Sequence, residues 1–286
     1  MQGMQKLKLL PLLILPLIAA CTTSPVSTEI ADRTQSHPKI LPIPIDNCSV
    51  GCPSGGSDLT IYRQAYTLNN NATTKFANWV AYKITKDTPA TGRPRNWKTD
   101  PDVPPGQTLA PADYKGANAA LKTGRGHQAN LASMGGVSDW QTLNYLSNIT
   151  PQKDNLNQGA WARLEDQERN LSKTPGIETV YVATGPLYEK PMESLPGTDK
   201  VHTIPSGYWK VIFTGSSPQN GLYAAFIMDQ SIPRSANFCD FQVTVAQVEQ
   251  RSGLTLWSEL PAAVHKALTS RRGLLPQKIG CGSAAS

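Results

Sequence analysis

The chain has 286 residues, of which 39% are hydrophobic and 17% charged, with a formal net charge of +6. That balance fits a globular chain with a real core and excludes a highly charged disordered one; the length allows one large domain or two small ones. The 22 glycines and 23 prolines call for many loops, and the modest positive charge suits a polyanionic partner without selecting one.

Residues 1–8 are short and basic, and residues 9–20 (LLPLLILPLIAA) are wholly apolar. At about 1.5 Å per residue that run is too short to cross a ~30 Å bilayer core comfortably as a helix, and it contains Pro11 and Pro16. The pattern is that of an export signal. Two of the six net positive charges, Lys6 and Lys8, belong to it, so its removal leaves +4. The run ends Ile18-Ala19-Ala20-Cys21, which resembles the lipobox of bacterial lipoproteins, where the cysteine is lipidated and becomes the new N-terminus. Thr22 is not an aspartate, which by resemblance to bacterial sorting rules favours an outer-membrane anchor, facing either side. Residues 22–45 are rich in Ser, Thr and Pro and read as a tether in which His37 is solvated. The expected organisation is a lipoprotein signal peptide at 1–20, a tether at 21–45 and one domain at 46–286.

Lipidation of Cys21 leaves four cysteines, Cys48, Cys52, Cys239 and Cys281. In an oxidising compartment two disulfides are the default, and four cysteines allow three pairings. Cys48 and Cys52 flank a short turn and can close it locally; Cys239 and Cys281 would then close a ~40-residue loop, worth about 4 kcal/mol in the chain-entropy model. A zinc site is disfavoured, because there is no Cys-x-x-Cys pair and no histidine near either pair.

Within the body, residues 58–68 (DLTIYRQAYTL) alternate as a strand, residues 69–71 read as a turn, and residues 75–85 (KFANWVAYKIT) as the hairpin partner. Residues 89–111 are broken by six prolines and read as an irregular segment carrying Arg93, Arg95 and Lys98. Residues 112–121 read as a short helix. Further on, residues 179–184 form a strand ended by Gly185-Pro186, residues 208–214 and 223–228 form two more, and residues 244–252 and 261–268 read as helices. His202 and His265 read as structural or surface residues. No internal repeat and no βαβ rhythm appear, so the expected class is α+β with mainly antiparallel sheets.

The chemistry concentrates in residues 121–171. Gly124-Arg125-Gly126-His127 reads as a tight turn presenting a charged and a titratable side chain. A neutral imidazole, with an ordinary pKa of about 6.5, can take a proton from water at neutral pH. Residues 148–152 (NITPQ) read as a loop, and from Gln158 to Leu171 the pattern is helical. Asn157, Trp161, Glu165 and Arg169 recur every four residues and drift by roughly 40° per step, so they share one broad side. Asn157 and Glu165 offer a neutral and a charged oxygen, a hard donor set of the kind that holds magnesium with retained waters. The structural reading of the same residues is that Asn157 caps the helix and Glu165 pairs with Arg169. Arg95 can lean over the site to hold phosphate, for which arginine is better suited than lysine.

Residues 47–281 resemble the DNA/RNA non-specific endonuclease family, on the runs TLNNNATTKFANWVAYKITKDTPA, LAPADYKGANAAL, GVSDW, LNYLSNITPQK, LNQGAWARLEDQER and YVATGPLYE. The resemblance implies a ββα-metal motif, with the histidine on a strand and the metal ligand on the helix. It implies that His127 is the general base, that Asn157 is the direct ligand of one Mg²⁺ (or Mn²⁺), and that Glu165 holds a water of that ion. Arg95, Arg125 and Arg169 bind or neutralise phosphate, and the disulfides pair Cys48–Cys52 and Cys239–Cys281. DNA and RNA are the implied substrates, read through phosphate rather than bases, and a homodimer is implied as well. One departure stands out: the family's histidine motif is Asp-Arg-Gly-His, and here it begins with Gly124. The missing carboxylate implies an active but impaired enzyme; the alternative is a surface lipoprotein that binds nucleic acid without cutting it.

Overall fold

A computed structural model describes residues 45–282. The expected leader, the lipidated Cys21 and the tether lie outside the described residues, Ile45 excepted. Nine strands are described: β1 (Thr60–Tyr62), β2 (Thr67–Asn70), β3 (Ala77–Ile84), β4 (Thr123–His127), β5 (Ile149–Lys153), β6 (Val180–Leu187), β7 (Gly207–Thr214), β8 (Tyr223–Asp229) and β9 (Gln242–Val243). They are interleaved with α1 (Ala117–Leu121), α2 (Leu131–Met134), α3 (Asp154–Asn157), α4 (Ala160–Leu171), α5 (Val245–Ser252) and α6 (Ala262–Thr269). Seven strands form one sheet in the order β1-β2-β3-β6-β7-β8-β9, while β4 and β5 pair with each other. Every pairing is antiparallel, so the class is α+β, as expected.

The sheet is covered on both faces, which is why β7 (GYWKVIFT) is buried at every position. Period-two alternation sorts its residues. Tyr208 and Ile212 join Val80 and Tyr82 of β3, Phe226 of β8, and Trp161 and Leu164 of α4. Trp209, Val211 and Phe213 face the other way, against Val245 and Val248 of α5 and Trp257. Lys210 has the parity of Tyr208 and Ile212, so the strand carries a charged side chain under α4. The start and end of α5 are set locally: Thr244 and Gln247 make a reciprocal capping box, and Gly253 closes the helix at φ 74°.

Beside the sheet, β4, β5, α3 and α4 follow as a ribbon and two consecutive helices. Arg125 lies opposite Pro151 and His127 opposite Ile149. The fully buried Ile149 belongs to a third cluster with Phe76, Leu109, Tyr114, Leu121 and Leu146, which anchors the ribbon. Gly126 is required where it stands, because a Cβ there would meet the Gln152 side chain at 2.3 Å. Cys48–Cys52 and Cys239–Cys281 are both bridged.

Several expectations are corrected. Residues 58–68 are not one strand: β1 and β2 are separated by a turn tied by the Arg63 N–H to the Tyr66 carbonyl. Asn69 and Asn70 are buried in β2 rather than in a turn, because Asn69 holds residues 57–60 through its amide. Residues 123–127 are a strand and not a tight turn, and residues 149–153 are its partner and not a loop. Gly185-Pro186 does not end β6, which pairs with β7 through Leu187.

Candidate active site

Arg95, Trp97, Gly124, Arg125, His127, Asn130, Asn157, Gln158, Ala162, Glu165 and Arg169 line one open cleft of about 590 Å³. Every side chain singled out for chemistry by the sequence is therefore on one cavity wall. They arrive from different elements: Arg95 and Trp97 from the irregular segment before α1, Arg125 and His127 from β4, Asn157 from the end of α3, and Glu165 and Arg169 from α4. Three guanidinium groups and one carboxylate share the lining of the cleft, a charge balance that attracts anions.

The ring of His127 packs against Trp97, with centroids 5.3 Å apart, and its Nε2 lies 3.2 Å from Oδ1 of Asn144. The amide of Asn144 is oriented by its other end, where Nδ2 donates to the Pro94 carbonyl at 3.0 Å. Its oxygen therefore faces the imidazole, so Nε2 carries the proton and Nδ1 keeps the lone pair. Burial pushes His127 down from 6.5 to about 4; the Asn144 bond opposes this and the charge of Arg95 adds to it. At neutral pH the ring is an uncharged acceptor.

Arg125 is fixed by stacking: its guanidinium lies 5.5 Å from the Trp97 ring and 5.1 Å from Tyr114, and Nη2 donates to the Pro111 carbonyl at 3.0 Å. Its Nε is buried without a protein hydrogen-bond partner. Arg95 is exposed at the rim. Arg169 donates through Nη1 to Asn130 Oδ1 and Ser133 Oγ, and through Nη2 to Asp166. The expected Glu165–Arg169 pair is thus replaced. Glu165 instead accepts from Nδ2 of Asn130 at 2.6 Å. Burial pushes its carboxyl up from 4.5 to about 7, with nearby Lys210 opposing that rise.

Asn157 is not a helix cap: α4 begins after a break at Gln158-Gly159, with Gly159 in the capping position. Asn157 reaches the cleft from the end of α3, while Trp161, placed on the same side by counting, is in the core, about 80° round α4 from Arg169. The Asn157 amide makes no hydrogen bond to another described residue. A Cβ on Gly124 would lie 3.3 Å from its Nδ2 and 3.1 Å from Oδ1 of Asp154. A carboxylate at 124 would stand beside both.

Sequence reasoning missed Asn144, Asn130, Trp97 as a packing partner, and Lys210. The three polar residues are buried or half-buried with specific partners, and nothing in local sequence periodicity reports that. His202 accepts from the Leu195 N–H, and His265 meets Glu249, as structural residues do.

Residues 43–263 match the family model described as DNA/RNA non-specific endonuclease. The chain is 66% identical to a nuclease of Serratia marcescens over 238 residues, covering 83% of this chain and 90% of that one. It is 32% identical to nuclease C1 of Cunninghamella echinulata over 256 residues, covering 82% and 96%. A solved structure of the EndoG/EndoGI complex contains a chain similar to it with a TM-score of 0.63 and 25% identity, over 75% of this chain and 91% of that one. With the cleft, the ββα arrangement and these likenesses in agreement, the chain belongs to the DNA/RNA non-specific endonuclease family and is an endonuclease acting on DNA and RNA.

Proposed function

We propose that this endonuclease is Mg²⁺-dependent and that His127, Asn157, Glu165, Arg95, Arg125 and Arg169 form its machinery. The observation that carries the reading is their convergence on one cleft. The donors suit a hard cation: Asn157 brings an unengaged amide oxygen, Glu165 a carboxylate, and among the described residues no group of three or more His, Cys, Asp or Glu offers an all-protein cage. Asn157 would hold the ion directly and Glu165 through its hydration. Bound Mg²⁺ supplies charge neutralisation at the phosphate and acidity for the departing 3′ oxygen.

The remaining steps belong to the chain. Arg95, Arg125 and Arg169 hold the phosphodiester by its oxygens, with the stacked Arg125 as the rigid donor. His127, its tautomer set by Asn144, takes a proton at Nδ1 from the attacking water. Trp97 covers the ring and limits its exposure to solvent. Gly124 removes a carboxylate from the metal side of the cleft and lowers affinity for the ion without abolishing the reaction. No base-reading element is needed, since the contacts are to phosphate.

The leader at 1–20, lipidation of Cys21 and the tether to residue 45 extend the proposal to an exported, envelope-anchored enzyme, facing the periplasm or the outside; self-association as a homodimer is part of the same family-based reading. Mass spectrometry of the mature N-terminus tests the anchor, and an unmodified Cys21 or cleavage elsewhere removes it. The function is tested with supercoiled plasmid and with RNA, with and without chelator. Mg²⁺-dependent cleavage of both that is lost in His127→Ala is expected. Salt-sensitive binding without nicking at any Mg²⁺ concentration would replace this reading with that of a non-catalytic nucleic-acid binder.

A further inference from the structure

Glu165 is held from beneath as well as from the cleft. Lys210 of β7 is fully buried; its ammonium lies 2.7 Å from Oε1 of Glu168 and 3.9 Å from Oε1 of Glu165. It also stands 4.5 Å from the centroid of the Trp161 ring. Glu168 is fully buried too, and its other oxygen accepts from the Tyr82 hydroxyl at 3.0 Å. One cation from β7 thus sits under two carboxylates one helical turn apart on α4.

The fold gives no reason for this cluster. A buried ion pair is often replaceable by apolar groups without loss of stability, because each charge gives up its hydration. The distances suggest a different use. Glu168, fixed by Tyr82, takes the close contact with Lys210. Glu165 then feels the cation at a distance too long for a hydrogen bond. Its oxygens are attracted from below but are not consumed, and Oε2 stays with Asn130 on the cleft side.

We infer that Lys210, held by Glu168 and Tyr82, is a positioning residue for the nuclease reaction: it fixes the Glu165 carboxylate in the cleft from the sheet side. The inference rests on the proposed role of Glu165 toward Mg²⁺. Without Lys210 the carboxylate keeps the Asn130 amide as its one hydrogen-bonded anchor and can turn away from the ion.

The test is a mutant cycle on the full chain, with Mg²⁺ binding followed by calorimetry, Mn²⁺ binding by electron paramagnetic resonance, and plasmid cleavage resolved into kcat and KM. Lys210→Met with Glu168→Gln removes both buried charges together and leaves neither unpaired. That pair is expected to weaken Mg²⁺ binding and lower kcat by about tenfold each, as loss of outer support to a metal site does, with KM for DNA unchanged. In a Glu165→Gln background the same pair should change neither. Equal factors with and without Glu165 would overturn the inference while leaving the role of Glu165 intact. If Glu165→Gln alone binds Mg²⁺ and cleaves as the parent does, the role of Glu165 falls and the inference with it. Should the paired variant not fold, Tyr82→Phe takes its place in the cycle. A loss of about threefold, as for one hydrogen bond, is then expected only when Glu165 is present, and a loss that persists in Glu165→Gln refutes the coupling.

Discussion

Replacing Asn144 by aspartate puts a carboxylate where the amide oxygen now lies, 3.2 Å from Nε2 of His127. Two unit charges about 4 Å apart attract by about 4 kcal/mol at an effective dielectric of about 20. At about 1.4 kcal/mol per pH unit, that raises the imidazole pKa by about 3. His127 would move from about 4 to about 7. In the parent the ring is neutral throughout the range above about pH 5, so it is available for the proposed role of general base. In Asn144→Asp it is protonated below about 7, so activity is lost as pH falls through that value. The variant should cleave about tenfold more slowly at pH 6 and recover at pH 8.5. The assay is kcat/KM for plasmid DNA from pH 5 to 9 at saturating Mg²⁺. The aspartate also cannot donate to the Pro94 carbonyl, so stability should fall by about 1–3 kcal/mol, and the profile is measured where the variant is folded. Superimposable profiles for parent and variant would refute the tautomer argument, as would a parent acid limb at 6.5 or higher.

Glu165, with its carboxyl raised by burial to about 7, holds an extra proton in the metal-free fold between pH 4.5 and about 7. Raising the pH through that window weakens the metal-free protein by at most about 3 kcal/mol. Mg²⁺ should relieve that loss, so the thermal shift it produces should grow from pH 5 to pH 8; a flat shift would sink the argument. Gly124→Asp sets a second carboxylate next to Asp154, so it should lower the melting temperature without metal and reduce the Mg²⁺ needed for half-maximal rate, more so combined with Asp154→Asn. Equal rates across a Mg²⁺ titration would exclude a role for that missing charge. Cys239→Ser with Cys281→Ser opens a loop of sequence separation 42 and should cost about 4 kcal/mol, read by urea titration; a change under about 1 kcal/mol would show that the unfolded chain gains little freedom.

The strands with strong apolar alternation were legible: β3, β7 and β8 fall close to where the pattern puts them, as do α5 and α6. The ribbon that carries His127 was not. β4 (TGRGH) has two glycines and β5 (ITPQK) a proline, which locally signal turn and loop. They are strands because they pair with each other and because Ile149 is drawn into the cluster beneath. A proline is tolerated there because, in a two-stranded ribbon, one side of each strand has no ladder to complete. The Pro151 carbonyl is used instead, accepting from Tyr208 and Gln230. Counting by fours put Asn157, Glu165 and Arg169 on one side, and they do share the cleft. The count failed at Trp161: it shares α4 with Glu165 and Arg169, but a drift of roughly 40° per step sets it about 80° from Arg169, on the edge of the helix that packs into the core. The site's side chains were nameable from residue type and resemblance; Asn130, Asn144 and Lys210 became visible only through tertiary contacts.

The Cys239–Cys281 bridge joins the turn after β8 to the last described residues, which pack against the same core cluster as α4. Thiol buffers such as glutathione would compete with that link, so a chain retained in a reducing interior would stay closer to its unfolding threshold than one that has left it. The hydrolytic cleft would then be least secure in the compartment where a producer keeps its own genome, a safeguard written into the covalent structure rather than into a separate inhibitor.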